Sequence, residues 1–177
     1  THDISLCNLS PKITLIPGAA TSWILPIDRK IYDKTKLISM IASTKEVNRE
    51  HIYRNRVANI VSNRVDLFGI GREKELISKV EGLKNYCFSI AIENGTYRNM
   101  ISEKLTDCFT TGTIPIYYGS DYAYECFNPE GIIDISRVKL DGLSFEYYHD
   151  RIDAIKENFK IACNLPLPED YIWDKFI

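Results

Sequence analysis

The feature that most limits the possible folds is a strict alternation of short apolar runs with helical patterns from Lys36 onward. The apolar runs predict five strands, at residues 36–43, 65–69, 86–92, 113–119 and 131–136. Helical spacing of apolar residues predicts helices over 47–63, 72–82, about 99–110 and 145–165. Such alternation is typical of a parallel sheet whose strands are connected by helices.

The predicted strands are almost continuously hydrophobic, which indicates that both faces of the sheet are covered. We therefore expect an α/β fold, a Rossmann-like doubly wound parallel sheet with helices on both faces. Residues 36–177 form this domain in our interpretation. Residues 1–35 fit it less well, because they combine one strand-like run with prolines and a glycine. We interpret them as a linker or packing arm.

Composition excludes several classes of protein. The formal net charge of −2 gives no general attraction to nucleic acid, so we expect no nucleic-acid partner. No apolar run approaches the roughly 20 residues of a membrane-spanning helix, so we expect no transmembrane segment. The 5 cysteines are scattered, and none forms a Cys-x-x-Cys pair. A reducing, cytoplasmic location fits best, and peripheral association with a membrane stays open.

In doubly wound sheets, ligands bind at the carboxyl ends of the strands. The loop after the second predicted strand contains Gly69, Ile70 and Gly71. A dinucleotide fingerprint would need a further glycine where Lys74 stands, and the chain contains no P-loop motif. The two glycines favour a tight turn over a nucleotide-binding motif.

The loop after the third predicted strand carries more chemistry. Glu93 and Asn94 follow the strand directly, and Glu103 and Lys104 lie early in the next predicted helix. A helix start favours anions, and a lysine beside it suits phosphate. Glu103 can accept hydrogen bonds from sugar or ribose hydroxyls, and Asn94 offers a donor and an acceptor.

Helical spacing also predicts that Met100, Lys104 and Cys108 share one row of the helix. The lysine stem would then lie along apolar surface while its ammonium reaches a cleft. The plainer interpretation is a surface Glu–Lys pair with Asn94 as a turn residue. Residue chemistry alone leaves both interpretations open.

A resemblance to a known family favours the interpretation of these residues as a ligand site. The segments 86–94 (YCFSIAIEN), 102–120 (SEKLTDCFTTGTIPIYYGS) and 127–136 (FNPEGIIDIS) resemble the signature of the family 10 fucosyltransferases. The resemblance covers about residues 36–136. It implies the C-terminal, GDP-sugar-binding half of a GT-B glycosyltransferase, which has two Rossmann-like halves. Members of the family transfer L-fucose from GDP-fucose to a sugar hydroxyl with inversion.

The resemblance also implies residue roles. Upstream, Arg54 matches the family's arginine better than Arg56 does, and Arg54 and Lys104 together would neutralise the GDP diphosphate. The two cations would replace a metal ion, so we expect no obligatory metal and no cofactor besides the GDP-fucose donor. Arg54, Asn94, Glu103 and Lys104 are the predicted donor-binding residues. The weaker candidates are Glu93, Tyr97, Gly69, Tyr118 and Gly119.

The sequence departs from the family pattern at two positions. Met100 stands where the family has a tyrosine, and Ser102 replaces a threonine. The methionine leaves the donor sugar open between fucose and a related sugar.

The acceptor half and the general base, a glutamate, precede this region in the family, and only about 35 residues do so here. We therefore expect an N-terminal acceptor domain or a second chain to bind the glycan acceptor and supply the base. No catalytic residue is assigned to this chain. The alternative is a non-catalytic domain that binds a nucleotide sugar or glycan.

Overall fold

The fold is built on one parallel five-stranded sheet. A computed structural model describes residues 7–11, 18–19 and 21–177. The strands of the sheet are β2 Lys36–Ile41, β3 Asp66–Phe68, β4 Tyr86–Ile92, β6 Ile114–Tyr118 and β7 Ile133–Asp134. They run in the order β3-β2-β4-β6-β7, and every neighbouring pair is parallel. A separate pair, β1 Gly18–Ala19 and β5 Met100–Ile101, is also parallel. The predicted strands are thus confirmed, with shorter ends.

Helices cover both faces of the sheet. Their bounds are α1 Arg49–Val61, α2 Glu103–Thr110, α3 Tyr122–Cys126, α4 Phe145–His149, α5 Ile152–Cys163 and α6 Pro168–Phe176. One apolar cluster joins Met40 and Phe88 to α1 and α4. A second cluster joins Ala91 to α2 and α3. All seven residues of β4 are buried, as a central strand between two helical layers requires. The doubly wound α/β prediction is confirmed.

The helix predicted over 72–82 is wrong. That segment contains only a short 3₁₀ helix, Lys79–Gly82. Ile77, which contributed to the apolar periodicity, is 100% exposed. The spacing therefore did not reflect a buried helical face.

Two other predicted helices have different bounds. The helix predicted from about residue 99 begins at Glu103, because Ser102 caps it and Met100 lies in β5. Met100 therefore does not share a helical row with Lys104, contrary to the prediction. The helix predicted over 145–165 is two helices, α4 and α5.

The strand order places a crevice at a defined point. Numbered along the chain, the five strands have the order 2-1-3-4-5, which changes direction between β2 and β4. In doubly wound sheets the ligand crevice lies at this switch point, outside the carboxyl ends of the strands.

The division of the chain at residue 35 stays a prediction. In the part of the chain that the structure describes, no helix has the length and apolarity to cross a membrane.

Candidate functional site

A cavity of about 390 Å³ opens beside the switch point. Its apolar walls include Ile41 of β2 and Ile90 of β4. Its polar lining includes Ser43, Arg54, Lys79, Glu103, Lys104 and Asp107. The lining thus combines three cationic side chains with two acidic ones. This charge balance suits an anionic ligand that also carries hydroxyl groups.

Arg54 is the most unusual group of this cavity, because it is a buried cation that has no acidic partner in the part of the chain that the structure describes. The residue is only 6% exposed. Its Nη1 donates to Asn94 Oδ1 over 2.8 Å and its Nη2 to Ser43 Oγ over 3.4 Å, so both acceptors are neutral. Among the described residues, Arg54 forms no ion pair, and its buried Nε has no hydrogen-bond partner. Such a charge is costly to bury without a counterion.

A second guanidinium adds to the positive potential. Burial, and then repulsion from Arg72, lower the pKa of Arg54 from its ordinary value. Arg72 donates from Nε to Ala42 O over 3.1 Å and from Nη2 to Asn55 Oδ1 over 2.5 Å. These two acceptors are neutral as well. The sequence interpretation did not include Arg72, which the loop after β3 brings to α1.

Gly69 allows this loop to approach β2 closely. Its φ is +140°, and a Cβ atom there would lie 2.5 Å from Ala42 O. Gly71, with a φ of +78°, also has a backbone conformation that favours glycine. Gly69 lines the cavity with its backbone. Gly69 therefore lies both in the predicted turn and at the cavity wall.

Asn94 is exposed on the loop after β4, and its side chain reaches Arg54. Asn48, the N-cap of α1, donates from Nδ2 to Asn94 O over 2.9 Å. This bond ties the loop to the start of α1. Burial, and then the charge of Arg54, lower the pKa of the neighbouring His51. The histidine is thereby favoured in its neutral form beside the cations.

Lys104 and Lys79 share the carboxylate of Glu103. Oε1 of Glu103 lies 3.5 Å from Lys104 Nζ and 3.2 Å from Lys79 Nζ. Burial raises the pKa of Glu103, but the attraction of Lys104 and Lys79 outweighs it and lowers the pKa overall. Glu103 is thus an ionised acceptor at the cavity wall.

Glu93 lies behind this wall rather than in it. The side chain is fully buried and accepts hydrogen bonds from Ser102 N over 2.9 Å and from Ser102 Oγ. Lys104 Nζ lies 3.7 Å from its Oε2. A Cβ on Gly119 would lie 2.6 Å from Glu93 Cγ. In this arrangement Glu93 fixes the start of α2 and positions Lys104, and Gly119 makes room for it.

The two remaining predicted residues, Tyr97 and Tyr118, are not part of the cavity lining. Tyr97 is 58% exposed. The ring of Tyr118 packs against Tyr53 at a centroid distance of 4.6 Å. Arg54, Glu103, Lys104 and Gly69 therefore line one cavity and Asn94 bonds to Arg54, whereas neither tyrosine lines that cavity.

Three polar or aromatic residues of the cavity lining, Trp23, Lys79 and Asp107, were not among the residues predicted from the sequence. Asp107 is 2% exposed, and its Oδ1 accepts from Ser22 Oγ, Trp23 N and Ile24 N over 2.8, 2.7 and 3.3 Å. Its Oδ2 lies 2.9 Å from Lys79 Nζ. The helical spacing of four from Glu103 to Asp107 was a usable signal. No local signal predicted Trp23, because it lies far from the other residues in the sequence.

Comparisons with known proteins give a consistent result. A family model described as Glycosyltransferase family 10 (fucosyltransferase) C-term matches residues 31–144. The alpha-(1,3)-fucosyltransferase FucT of Helicobacter pylori is 32% identical over 79 residues, which are 45% of this chain and 15% of that protein.

A solved structure of alpha1,3-fucosyltransferase shares the fold. It aligns with a TM-score of 0.51 and 24% identity over 72% of this chain and 38% of the other. Another, a structure with GDP-fucose, aligns with a TM-score of 0.48 and 24% identity over 75% and 39% of the two chains. The chain thus spans less than half the length of these relatives.

Proposed function

The chain belongs to glycosyltransferase family 10, the fucosyltransferases, and from this membership we propose that it supplies the donor site of an inverting glycosyltransferase. The ligand of the cavity is GDP-fucose or a closely related GDP-sugar. The reaction is transfer of the sugar to a glycan hydroxyl. Met100, which replaces the family's tyrosine, leaves the exact sugar to experiment.

The structural observation that carries this proposal is the charge of Arg54, which has no acidic partner among the described residues. Within residues 7–11, 18–19 and 21–177, its buried Nε has no partner, and its other donors bind neutral oxygens of Asn94 and Ser43. A diphosphate would supply the missing anion and several acceptor oxygens. Arg72 beside it would strengthen the attraction at longer range. The site therefore has the electrostatics of a phosphate-binding site before any ligand enters.

Lys104 and Glu103 support the same ligand from the other side. Lys104 is held between Glu93 and Glu103 over 3.7 and 3.5 Å, which fixes its ammonium near the cavity. An ammonium in this position suits a phosphate oxygen. Glu103 offers carboxylate oxygens to the ribose hydroxyls.

The same cations have a chemical role in our proposal. When the bond between the sugar and the diphosphate breaks, the departing GDP gains negative charge. Fixed cations aimed at that charge stabilise the transition state without rearranging. Arg54 and Lys104 would thus serve in place of a metal ion, and we propose that donor binding needs none.

In this proposal the chain positions the donor, and the group that activates the acceptor lies elsewhere. A general base must lie within hydrogen-bond reach of the acceptor hydroxyl. The buried Glu93 is bonded to Ser102 and lies behind the cavity wall, so it is not available for that role. We propose that the base comes from the part of the relatives that this chain does not span, on an acceptor domain or a second chain.

Calorimetric titration with GDP in the presence of EDTA tests the proposal. Arg54→Ala and Lys104→Ala should each weaken binding by about ten-fold or more. Arg56→Ala is the matched control, because Arg56 is exposed on the same helix. It should change the affinity by less than about two-fold. Failure of the wild-type chain to bind GDP at millimolar concentration would refute the donor-site assignment.

A further inference from the structure

Trp23 is an exposed aromatic side chain at the cavity, held in place by a buried carboxylate. The residue is 68% exposed, so its indole is not part of the apolar core. The backbone amides of Trp23 and Ile24 nevertheless both donate to Asp107 Oδ1. The fold therefore fixes the backbone that carries a large aromatic ring and leaves most of this residue's surface open.

Lys79 connects this ring to the charged part of the cavity. Its Nζ lies 4.3 Å from the centroid of the Trp23 ring and bonds to Glu103 and Asp107 over 3.2 and 2.9 Å. The ammonium thus supports one side of the indole. Because the residue is largely exposed, ring surface remains available to a ligand.

The order of these groups matches the parts of a nucleotide. Three consecutive contacts of 3.5, 3.2 and 4.3 Å join Lys104 to Glu103, Glu103 to Lys79, and Lys79 to the Trp23 ring. Lys104 is the cation for phosphate, Glu103 is the carboxylate for ribose hydroxyls, and the Trp23 ring with its Lys79 ammonium lies at the other end. The path is short enough for one nucleoside diphosphate to reach both ends.

We infer that Trp23 stacks on the nucleobase of the bound nucleoside diphosphate and so distinguishes a nucleotide from a simple phosphate. This inference rests on the proposed donor site. Aromatic rings bind bases through their π-faces, and that stacking contributes substantially to affinity. Trp23 would be a binding residue contributed by the segment before β2, which sequence analysis interpreted as an arm.

The chain is suited to a direct optical test because it contains only 2 tryptophans. Trp173 is 63% exposed in the C-terminal helix, so Trp173→Phe should leave the fold and the affinity unchanged. In this variant the fluorescence reports on Trp23 alone. GDP should change its intensity in a saturable way, whereas inorganic pyrophosphate, which has no base, should bind with little change. Saturable GDP binding that leaves the Trp23 emission unchanged would overturn the inference.

Two substitutions of Trp23 test the same inference through the affinity for GDP. Trp23→Ala should weaken GDP binding about ten-fold and leave pyrophosphate binding unchanged. Trp23→Phe, which keeps a ring, should recover most of the affinity for GDP. Both variants should melt like the wild type, since the side chain is exposed.

The possible failures are distinguishable. If the wild type binds GDP and pyrophosphate equally tightly, or if Trp23→Ala weakens both ligands alike, base stacking is refuted while the phosphate site stands. If neither ligand binds, the donor site and the role of Trp23 are refuted together.

Discussion

Arg54 donates from Nη1 to Oδ1 of Asn94 over 2.8 Å. The bond joins α1 to the loop after β4, across the point where the strand order changes direction. A neutral amide holds the guanidinium in place without neutralising it. The charge of Arg54 therefore stays available to a ligand.

Asn94→Asp should convert this bond into an ion pair. A carboxylate against Arg54 would supply the missing counterion and compete with the diphosphate. We expect GDP affinity to fall by about ten-fold or more and the free energy of unfolding to rise by about 1 kcal/mol. Calorimetry and urea unfolding measure the two effects. Unchanged GDP affinity would show that Arg54 does not bind the diphosphate.

Asp107→Asn should destabilise the fold. The substitution keeps the shape of a side chain that is 2% exposed, but it leaves Lys79 facing an amide. We expect the free energy of unfolding to fall by about 3 kcal/mol in urea titrations. Asp153→Asn is the control, because the side chain of Asp153 is 96% exposed in its pair with Lys156. It should change the free energy of unfolding by less than about 0.5 kcal/mol. Equal effects of the two substitutions would refute the role given to Asp107.

Gly69→Ala should distort the loop after β3. Its φ of +140° disfavours alanine, and the new Cβ would lie 2.5 Å from Ala42 O. We expect a loss of about 1–3 kcal/mol of stability together with weaker GDP binding. Gly142→Ala provides the comparison, since among the described residues no atom beyond its two chain neighbours lies within 4 Å of a Cβ there. Wild-type stability and GDP affinity in Gly69→Ala would contradict the close approach of the loop to β2.

Asp66 should make stability depend on pH in the acid range. Hydrogen bonds from Lys74, Tyr86 and Lys36 lower its pKa well below the ordinary value. A carboxyl whose pKa is lower in the folded state stabilises it above the unfolded pKa of about 3.9, and this stabilisation is lost as the pH falls below that value.

Asp66→Asn should therefore cost about 1 kcal/mol near pH 7, and the difference from wild type should shrink near pH 3. Urea unfolding at both pH values measures it. A difference that does not depend on pH would contradict the ionic role of Asp66.

The sequence predicted the sheet well because its strands are buried on both faces. A strand such as Tyr86–Ile92, buried at every position, leaves an apolar run that does not depend on distant contacts. The segment after Gly71 was predicted wrongly because Ile77 is apolar but fully exposed. Apolar spacing indicates a helix only where the apolar residues are buried.

The candidate site was predictable where its residues lie in one motif. Asn94, Glu103 and Lys104 are close in sequence and in the structure. Trp23 and Arg72 reach the site through tertiary contacts with Asp107 and with Ala42 and Asn55. Local patterns do not encode such contacts.

The most direct test of the donor site compares the affinities for GDP and GMP. Only GDP carries the second phosphate, so cations that bind the diphosphate should favour it over GMP. We predict that the wild type and Arg56→Ala bind GDP at least about ten-fold more tightly than GMP, and that Arg54→Ala loses most of this preference. If Arg54→Ala keeps the full preference for GDP, Arg54 does not hold the diphosphate and the account of the site is wrong.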